Sequence, residues 1–244
     1  LVTPSDASAG DRLSESRIEA MVAVSLALVA ALAIKLPALI GGLTFDDDFS
    51  FYARNFSLFV LPLLTGYFAW KRGLDWVIRG WLILPFAAAV VFANIFPFTP
   101  NGSTSFLTVL HLPIALWLAV GIAYAGGRWW RGTGRMDFVR FSGELFIYYV
   151  LIAFGGGVLT AFTVGMFGAI GLEIDWLTEG WLVPCGAVGA VIIGSWLVEA
   201  KQSVVENMAP VLTRIFTPLL VAVLLGFLGT MVVTGRGIDL EREV

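Results

Sequence analysis

The chain has 244 residues, of which 58% are hydrophobic and 14% are charged, with a formal net charge of -3 and a mean hydropathy of +0.88. Soluble domains average about 45–50% apolar and about 25% charged residues, so this composition excludes an ordinary soluble domain. It also excludes a nucleic-acid-binding protein, because the sequence contains no run of basic residues long enough to form a basic groove.

Seven apolar runs predict seven membrane-spanning helices, at residues 21–40, 55–70, 76–96, 106–126, 141–171, 181–198 and 211–233. Most runs are about 20 residues long, the length of a helix that crosses a bilayer and pairs its backbone groups internally. The fold class predicted is therefore all-α, a polytopic transmembrane helical bundle. The fifth run is about ten residues too long for a straight crossing. We expect it to tilt, to extend beyond the bilayer or to break at Gly155–Gly157.

Loop charges predict the orientation of the bundle. Lysines and arginines are retained on the cytoplasmic side of a membrane, and here they alternate between rich and poor connections. This pattern predicts a cytoplasmic polar segment at residues 1–20, a transmembrane domain at 21–233 and an outer polar tail at 234–244. The acidic triplet Asp46, Asp47 and Asp48 and the acidic loop at 172–180 then lie outside, and the basic loop at 127–140 lies inside.

This topology gathers several polar residues toward the outer face, as a candidate polar vestibule: Lys35, Asp46, Asp47, Asp48, Arg54, Asn94 and His111. Ionisable groups inside a bilayer usually face a cavity or pair with one another. In one interpretation Lys35 and Arg54 neutralise the aspartates, while Asn94 and His111 tie helix ends together. In the other, the group lines an outward-facing vestibule for a cation, a proton or a small solute.

Small residues that recur every four positions predict close helix packing. They form one stripe in the fifth run and another in the sixth: Gly157, Ala161, Gly165 and Gly186, Ala190, Gly194. Such stripes allow two backbones to approach closely where lipid offers no hydrophobic drive, so we expect these two helices to pack directly against each other. The single cysteine, Cys185, lies in an apolar run and is expected to serve in packing.

The sequence contains no pattern typical of an enzyme or of a cofactor site. It lacks a phosphate-binding loop, a dinucleotide fingerprint, a zinc-protease motif and a pair of cysteines for metal or redox chemistry. Ser195 and His111 are predicted to lie toward opposite faces of the membrane, which is unfavourable for a catalytic pair. We therefore predict no catalytic residues, no cofactor and no metal.

The stretch DDDFSFYARNFSLFVLPLLTGYFAWKRG, preceded by LPALIG, resembles bacterial inner-membrane proteins that are grouped as a domain of unknown function. The resemblance rests on an acidic stretch before an aromatic and basic helix start, and it covers roughly the first 70 to 100 residues of the chain. It implies a multi-pass protein of the bacterial cytoplasmic membrane, without an established activity. It carries over no catalytic residue.

The leading prediction for function is a non-catalytic structural or interaction component of the cell envelope. Its partners would be the lipid bilayer and either other membrane-protein subunits or further copies of the same chain. The alternative is a small transporter or channel that uses the outer vestibule.

Overall fold

The computed structural model describes residues 4–43, 48–99, 102–200 and 208–235, and the regular structure in these ranges is entirely helical. Seven long helices follow one another: α1 (Pro4–Gly41), α2 (Phe49–Lys71), α3 (Trp76–Ile95), α4 (Ser103–Ala125), α5 (Thr133–Gly168), α6 (Asp175–Ala200) and α7 (Met208–Thr234). The all-α helical bundle predicted from the sequence is confirmed.

Six helices of the described chain are long and apolar enough to cross a membrane, namely all except α2. Their surfaces carry many exposed large apolar side chains, such as Ile83, Leu118 and Phe154, which would be unfavourable in water. The chain is therefore a multi-pass helical membrane protein.

Helix α2 is the central helix of the bundle, since it contacts α1, α3, α4 and α6. It carries three buried polar side chains, Asn55, Ser57 and Thr65. Surrounding helices keep these polar groups away from lipid, where an unpaired polar group is costly. Its central position explains how a helix of lower hydropathy can lie within a membrane bundle.

Several helix boundaries differ from the predicted runs, most of all in α1, which begins at Pro4 rather than at residue 21. α2 begins at Phe49 rather than at residue 55, and the predicted basic loop holds a 3₁₀ turn at Trp129–Arg131 and the first turns of α5. The predicted acidic loop contains the start of α6, including a π-helical turn at Thr178–Leu182. Hydropathy marks where a helix becomes apolar. The backbone hydrogen bonds of the helix continue through the polar residues on either side, until capping residues end them.

Helix α5 is continuous over 36 residues, or about 54 Å at 1.5 Å per residue, so the predicted alternative of a break at the glycine triplet is wrong. Gly155 serves a different purpose, because a Cβ built there would lie 2.6 Å from the ring of Phe216 on α7. The described contacts of α7 are with α5, at this point and through the rings of Phe167 and Phe227, whose centroids are 5.6 Å apart.

An aromatic cluster fills the interior where α2, α4 and α5 meet. Phe141 stacks on Tyr124 at 4.6 Å between centroids and receives the edge of Phe68 at 5.3 Å. Aromatic pairs in these arrangements contribute about 0.5–1.5 kcal/mol beyond their burial. Nearby, Trp117 Nε1 donates to Ser142 Oγ at 3.0 Å and fixes the register of α4 against α5.

The two ends of the bundle differ in charge. We call the end that carries Lys71, Arg72 and the α4–α5 link the basic end, and the end that carries Asp48 and the α5–α6 link the acidic end. The loop-charge pattern predicts that the basic end is cytoplasmic.

Thr133 and Ser103 provide a test of this orientation, because both are exposed and stand at opposite ends of the bundle. In a Cys185→Ala background, Ser103→Cys should react with a membrane-impermeant thiol reagent in intact cells, while Thr133→Cys should react only after the membrane is opened. Labelling in the reverse order would invert the orientation. The adjacent glycines, Gly132 and Gly102, are unsuitable for the same cysteine substitutions, because Gly132 has a φ of 81° and a Cβ at Gly102 would clash with Thr99.

Candidate functional site

Asn94 is paired across helices with Asn55, a residue that the sequence analysis did not single out. Asn94 Nδ2 donates to Asn55 Oδ1 at 2.9 Å, and Asn55 Nδ2 donates to Asn94 Oδ1 at 3.2 Å. Each amide also donates to a backbone carbonyl one turn earlier in its own helix. The pair therefore ties α2 to α3 near the acidic end, in agreement with the structural interpretation of Asn94.

His111 lies on the exposed side of α4, where its Nδ1 is 2.9 Å from the carbonyl oxygen of Leu107 in the same helix. This local contact gives the imidazole a backbone partner without a second helix. The side chain is directed away from the interior of the bundle, so His111 does not line an internal cavity.

Lys35 is buried, with 6% of its surface exposed, at the contact between α1 and α6. Its ammonium donates to the carbonyl oxygen of Gly180 at 2.6 Å and lies 4.8 Å from the centre of the Trp181 ring. Both partners belong to the π-helical turn, whose wider winding leaves carbonyl groups available to side chains. Lys35 thus fixes the start of α6 onto α1.

Arg54 and Asp48 lie near the start of α2. The Arg54 guanidinium stacks over Phe98 at 4.7 Å, and its buried Nε has no hydrogen-bond partner within the described ranges. Asp48 immediately precedes α2 and accepts backbone hydrogen bonds from Phe51 and Tyr52 through its carbonyl oxygen. Asp46 and Asp47 lie outside the described residues.

In the described structure only some residues of the predicted vestibule contact another helix, and these contacts lie at separate places. Lys35 contacts α6, Asn94 contacts α2 and His111 contacts its own helix. Within the described ranges, no hydrogen bond joins Arg54, Asn94 and His111 to one another.

The predicted small-residue stripes are placed differently from expectation. α5 and α6 do contact each other, and a Cβ built on Gly194 would lie 3.1 Å from Leu145 of α5. Ala190 is buried, but Ala161 is exposed, and a Cβ at Gly157, Gly165 or Gly186 would meet no described atom within 4 Å.

This contact corrects the prediction that the two stripes face each other, because large side chains of α5, such as Leu145, pack against Gly194 of α6. Sequence periodicity indicates which residues share a helix face, but it does not show which face meets which neighbour. α6 also uses small residues toward α1, since a Cβ on Gly189 would lie 3.9 Å from Ala27. Cys185 lies at this same contact, with Sγ 3.6 Å from the carbonyl oxygen of Ala31.

The most connected polar site of the described residues is a partly buried ion network at the basic end, which we define as Glu19, Lys71, Arg72 and Glu199. Arg72 Nη2 donates to both carboxylate oxygens of Glu199, at 3.2 and 3.0 Å, and Arg72 Nε donates to the carbonyl oxygen of Tyr124 at 3.0 Å. The guanidinium also lies 4.9 Å from the Tyr124 ring centre. A single arginine at the end of α2 therefore links α4 and α6.

Lys71 extends the ion network to α1. Its ammonium lies 2.7 Å from Glu19 and 3.7 Å from Glu199. The Glu199 side chain is only 2% exposed, so its charge depends on the two cations beside it. Two cations and two carboxylates make the cluster neutral, which lowers the cost of removing it from water.

Tyr67 lies next to the network on α2, with the Lys71 ammonium 5.9 Å from its ring centre. Tyr67 is 1% exposed, and its hydroxyl has no hydrogen-bond partner in the described part of the chain. Gly126 gives Arg72 room at the end of α4, because a Cβ there would lie 3.2 Å from Arg72 Cβ, and its φ of 58° favours glycine.

Sequence analysis missed the ion network because it counted only basic residues to assign the two sides of the membrane. Glu19 falls in the predicted polar segment and Glu199 just beyond the sixth apolar run, while Lys71 and Arg72 were interpreted as orientation signals. The signal that could have revealed the network was the presence of acidic residues on the predicted cytoplasmic side, which also holds most of the basic residues. A carboxylate directly after an apolar run indicates a partner for a cation at the same depth.

Comparison with known proteins gives no relative: no family model, no curated protein and no solved structure matches this chain.

The first prediction from this site concerns Glu199. Glu199→Gln removes one charge from the buried network and leaves two cations with one carboxylate, so we expect a loss of about 3 kcal/mol in the free energy of unfolding. Glu144→Gln is the matched control, since Glu144 pairs with Arg140 at 2.9 Å on an exposed part of α5. That change should cost at most about 1 kcal/mol. Unfolding in detergent micelles measures both values.

Arg72→Gln added to Glu199→Gln should recover part of the loss, because it removes the cation left without a full partner. Losses that simply add in the double variant would show that Arg72 and Glu199 are not coupled.

The second prediction concerns the asparagine pair. Asn94→Leu leaves the buried Asn55 amide without its cross-helix partner and should cost about 1–2 kcal/mol of stability. Asn55→Leu combined with Asn94→Leu replaces both partners with apolar groups and should be more stable than the Asn94→Leu variant. Unfolding in detergent micelles measures the stability of these variants. A double variant that is less stable than either single one would contradict the pairing.

Proposed function

We propose that this chain is a non-catalytic integral component of a bacterial cytoplasmic membrane, with a structural or interaction role. The observation that carries the proposal is the engagement of the buried charges by other helices. Lys35 binds the backbone of α6, and the ion network joins four helices through Lys71 and Arg72. These charges fasten the bundle together.

The energetics of the ion network favour a fixed assembly over a moving one. Removing one partner of a buried ion pair costs about 3–5 kcal/mol, because the other charge is left uncompensated. A transport cycle that opened the basic end would separate α2 from α6 and would meet this cost at Arg72 and Glu199. A structural component benefits from the same barrier.

The chemistry of the described interior also favours a non-catalytic role. Ser195 Oγ donates to the carbonyl oxygen of Val191 in its own helix, and His111 faces outward from α4. The described residues contain no group of three or more His, Cys, Asp or Glu side chains that could hold a metal ion. A hydrolytic or metal-assisted reaction would need such groups to converge.

The resemblance of residues 46–73 to bacterial inner-membrane proteins supports the bacterial cytoplasmic membrane as the location. The positive-inside rule supports a cytoplasmic basic end, and with it a cytoplasmic amino terminus. The broad exposed apolar faces of α3 and α7 fit lipid or the helices of other membrane-protein subunits, including a second copy of this chain.

A small transporter or channel is the second candidate, and one observation favours it. Arg54 Nε is buried at the acidic end and has no hydrogen-bond partner among the residues that the structure describes. A buried donor of this kind is costly unless something satisfies it, and an anion or a water molecule entering from the acidic end would do so.

Proteoliposomes test the two candidates directly. We expect liposomes that contain the purified chain to show the same proton, sodium, potassium and chloride fluxes as protein-free liposomes, measured with ion-sensitive dyes. A flux that Arg54→Gln abolishes, in a variant whose unfolding temperature is unchanged, would instead favour the transporter. Arg140→Gln serves as the control for loss of one positive charge, because Arg140 is 75% exposed and lies on another helix.

A further inference from the structure

The link between α4 and α5 forms a basic shelf, which we define as residues 128–140. Its inner side is fixed by close packing. The ring of Trp129 lies 6.1 Å from that of Phe138, and a Cβ built on Gly121 would lie 2.7 Å from Phe138 and 2.9 Å from Trp129. Gly134 is equally restricted, because a Cβ there would lie 2.8 Å from the carbonyl oxygen of Arg128. The shelf is thus a rigid part of the bundle.

The outer side of the shelf combines exposed apolar and basic side chains. Trp130 is 86% exposed, and Met136 and Val139 are exposed beside it in sequence, together with Arg128 and Arg135. Tryptophan and basic residues are enriched together at the boundary between hydrocarbon and water, where a ring can be partly buried while a charge stays hydrated.

The position of the shelf along the bundle matches that boundary. The shelf follows directly on the end of α4. The hydrogen bond between Trp117 and Ser142 holds the first turns of α5 against the last turns of α4. α5 continues from the shelf without interruption into the exposed apolar residues Phe146 and Ile147. The shelf therefore adjoins the lipid-facing surface.

The charge of the shelf is strongly positive. Its sequence holds four arginines, at 128, 131, 135 and 140, and one carboxylate, Asp137. Arg140 is compensated by Glu144, whereas Arg128 and Arg135 form no ion pair with any described residue. Arg135 and Asp137 line a shallow open depression together with Gly132, Thr133 and Met136.

We propose that the basic shelf binds the headgroup of an anionic phospholipid in the leaflet at the basic end. Arg128 and Arg135 contact the phosphate, and Trp130, Met136 and Val139 lie at the boundary of the acyl chains. Arginine suits this role because its planar guanidinium can donate two hydrogen bonds to one phosphate. Asp137 opposes the anion and limits its affinity. This inference rests on the membrane character of the bundle and is independent of the proposed structural role.

Lipid selectivity of the purified full chain tests the proposal. In nanodiscs of mixed phosphatidylglycerol and phosphatidylcholine, native mass spectrometry should show that the chain retains the anionic lipid preferentially. The variant Arg128→Gln/Arg135→Gln should lose this preference by about fivefold for each arginine removed. An unchanged preference in a variant that unfolds at the same temperature in pure phosphatidylcholine would overturn the proposal.

Two further variants separate a local site from a general effect of charge. Arg140→Gln removes the same charge at a compensated position and should leave the preference nearly intact, while Asp137→Asn should raise it. A loss from Arg140→Gln as large as that from the double variant would overturn the assignment to Arg128 and Arg135. Inorganic phosphate, added to phosphatidylcholine nanodiscs, should not raise the unfolding temperature. Stabilisation by phosphate alone would assign the shelf to a soluble anion instead of a lipid.

Discussion

The ion pair between Arg72 and Glu199 sets the arrangement of the bundle at its basic end. A carboxylate that is 2% exposed can remain charged only beside a cation, and Arg72 supplies that cation from the end of α2 while its Nε holds the end of α4. Lys71 then brings in α1 through Glu19. Four helices are joined at the basic end because two adjacent residues at the end of α2 compensate two carboxylates.

At the acidic end, single polar contacts join the helices in pairs. The Asn55–Asn94 pair joins α2 to α3, and the Lys35 ammonium joins α1 to the π-helical turn of α6. Between the two ends, the contact of α2, α4 and α5 is filled by the aromatic rings of Phe68, Tyr124 and Phe141. The polar contacts at its ends and the aromatic contacts at its centre determine which helices pack against α2. A lipid-exposed helix such as α3 has most of its surface in contact with lipid, where an apolar side chain of any shape is suitable.

Much of this fold follows from the sequence, because membrane crossing is a property of single helices. Hydropathy and length identify the long helices, and the acidic and basic ends of α2 are visible as Asp46–Asp48 and Lys71 with Arg72. The pairing of Arg140 with Glu144 was also predictable, since both lie on one helix four residues apart. Contacts between helices were not predictable in this way. Glu19 and Glu199 meet Lys71 from far along the chain, and no local pattern carries that information.

The same limitation explains the outcome for the vestibule and for the small-residue stripes. The topology placed Lys35, Asn94 and His111 at similar depths, but depth does not determine the direction in which a side chain leaves its helix. His111 leaves α4 on the exposed side and Lys35 leaves α1 toward α6. Gly157 and Gly165 share a helical face with correct spacing, yet a Cβ built on either would meet no described atom within 4 Å, while Gly194 receives Leu145.

The contact between α1 and α6 has a consequence for biogenesis. α1 packs most extensively against α6, and the hydrogen bond from Lys35 to Gly180 spans 145 residues of chain. During synthesis the first helix therefore enters the membrane long before its main neighbour has been translated. Until then the Lys35 ammonium needs a temporary partner, in water at the membrane surface or within the insertion machinery, whereas Glu19 finds Lys71 as soon as α2 has been made. The final docking of α6 is the step that closes both ends of the bundle, and a nascent chain that stops before Asp175 contains every helix around α2 except the one that carries Glu199.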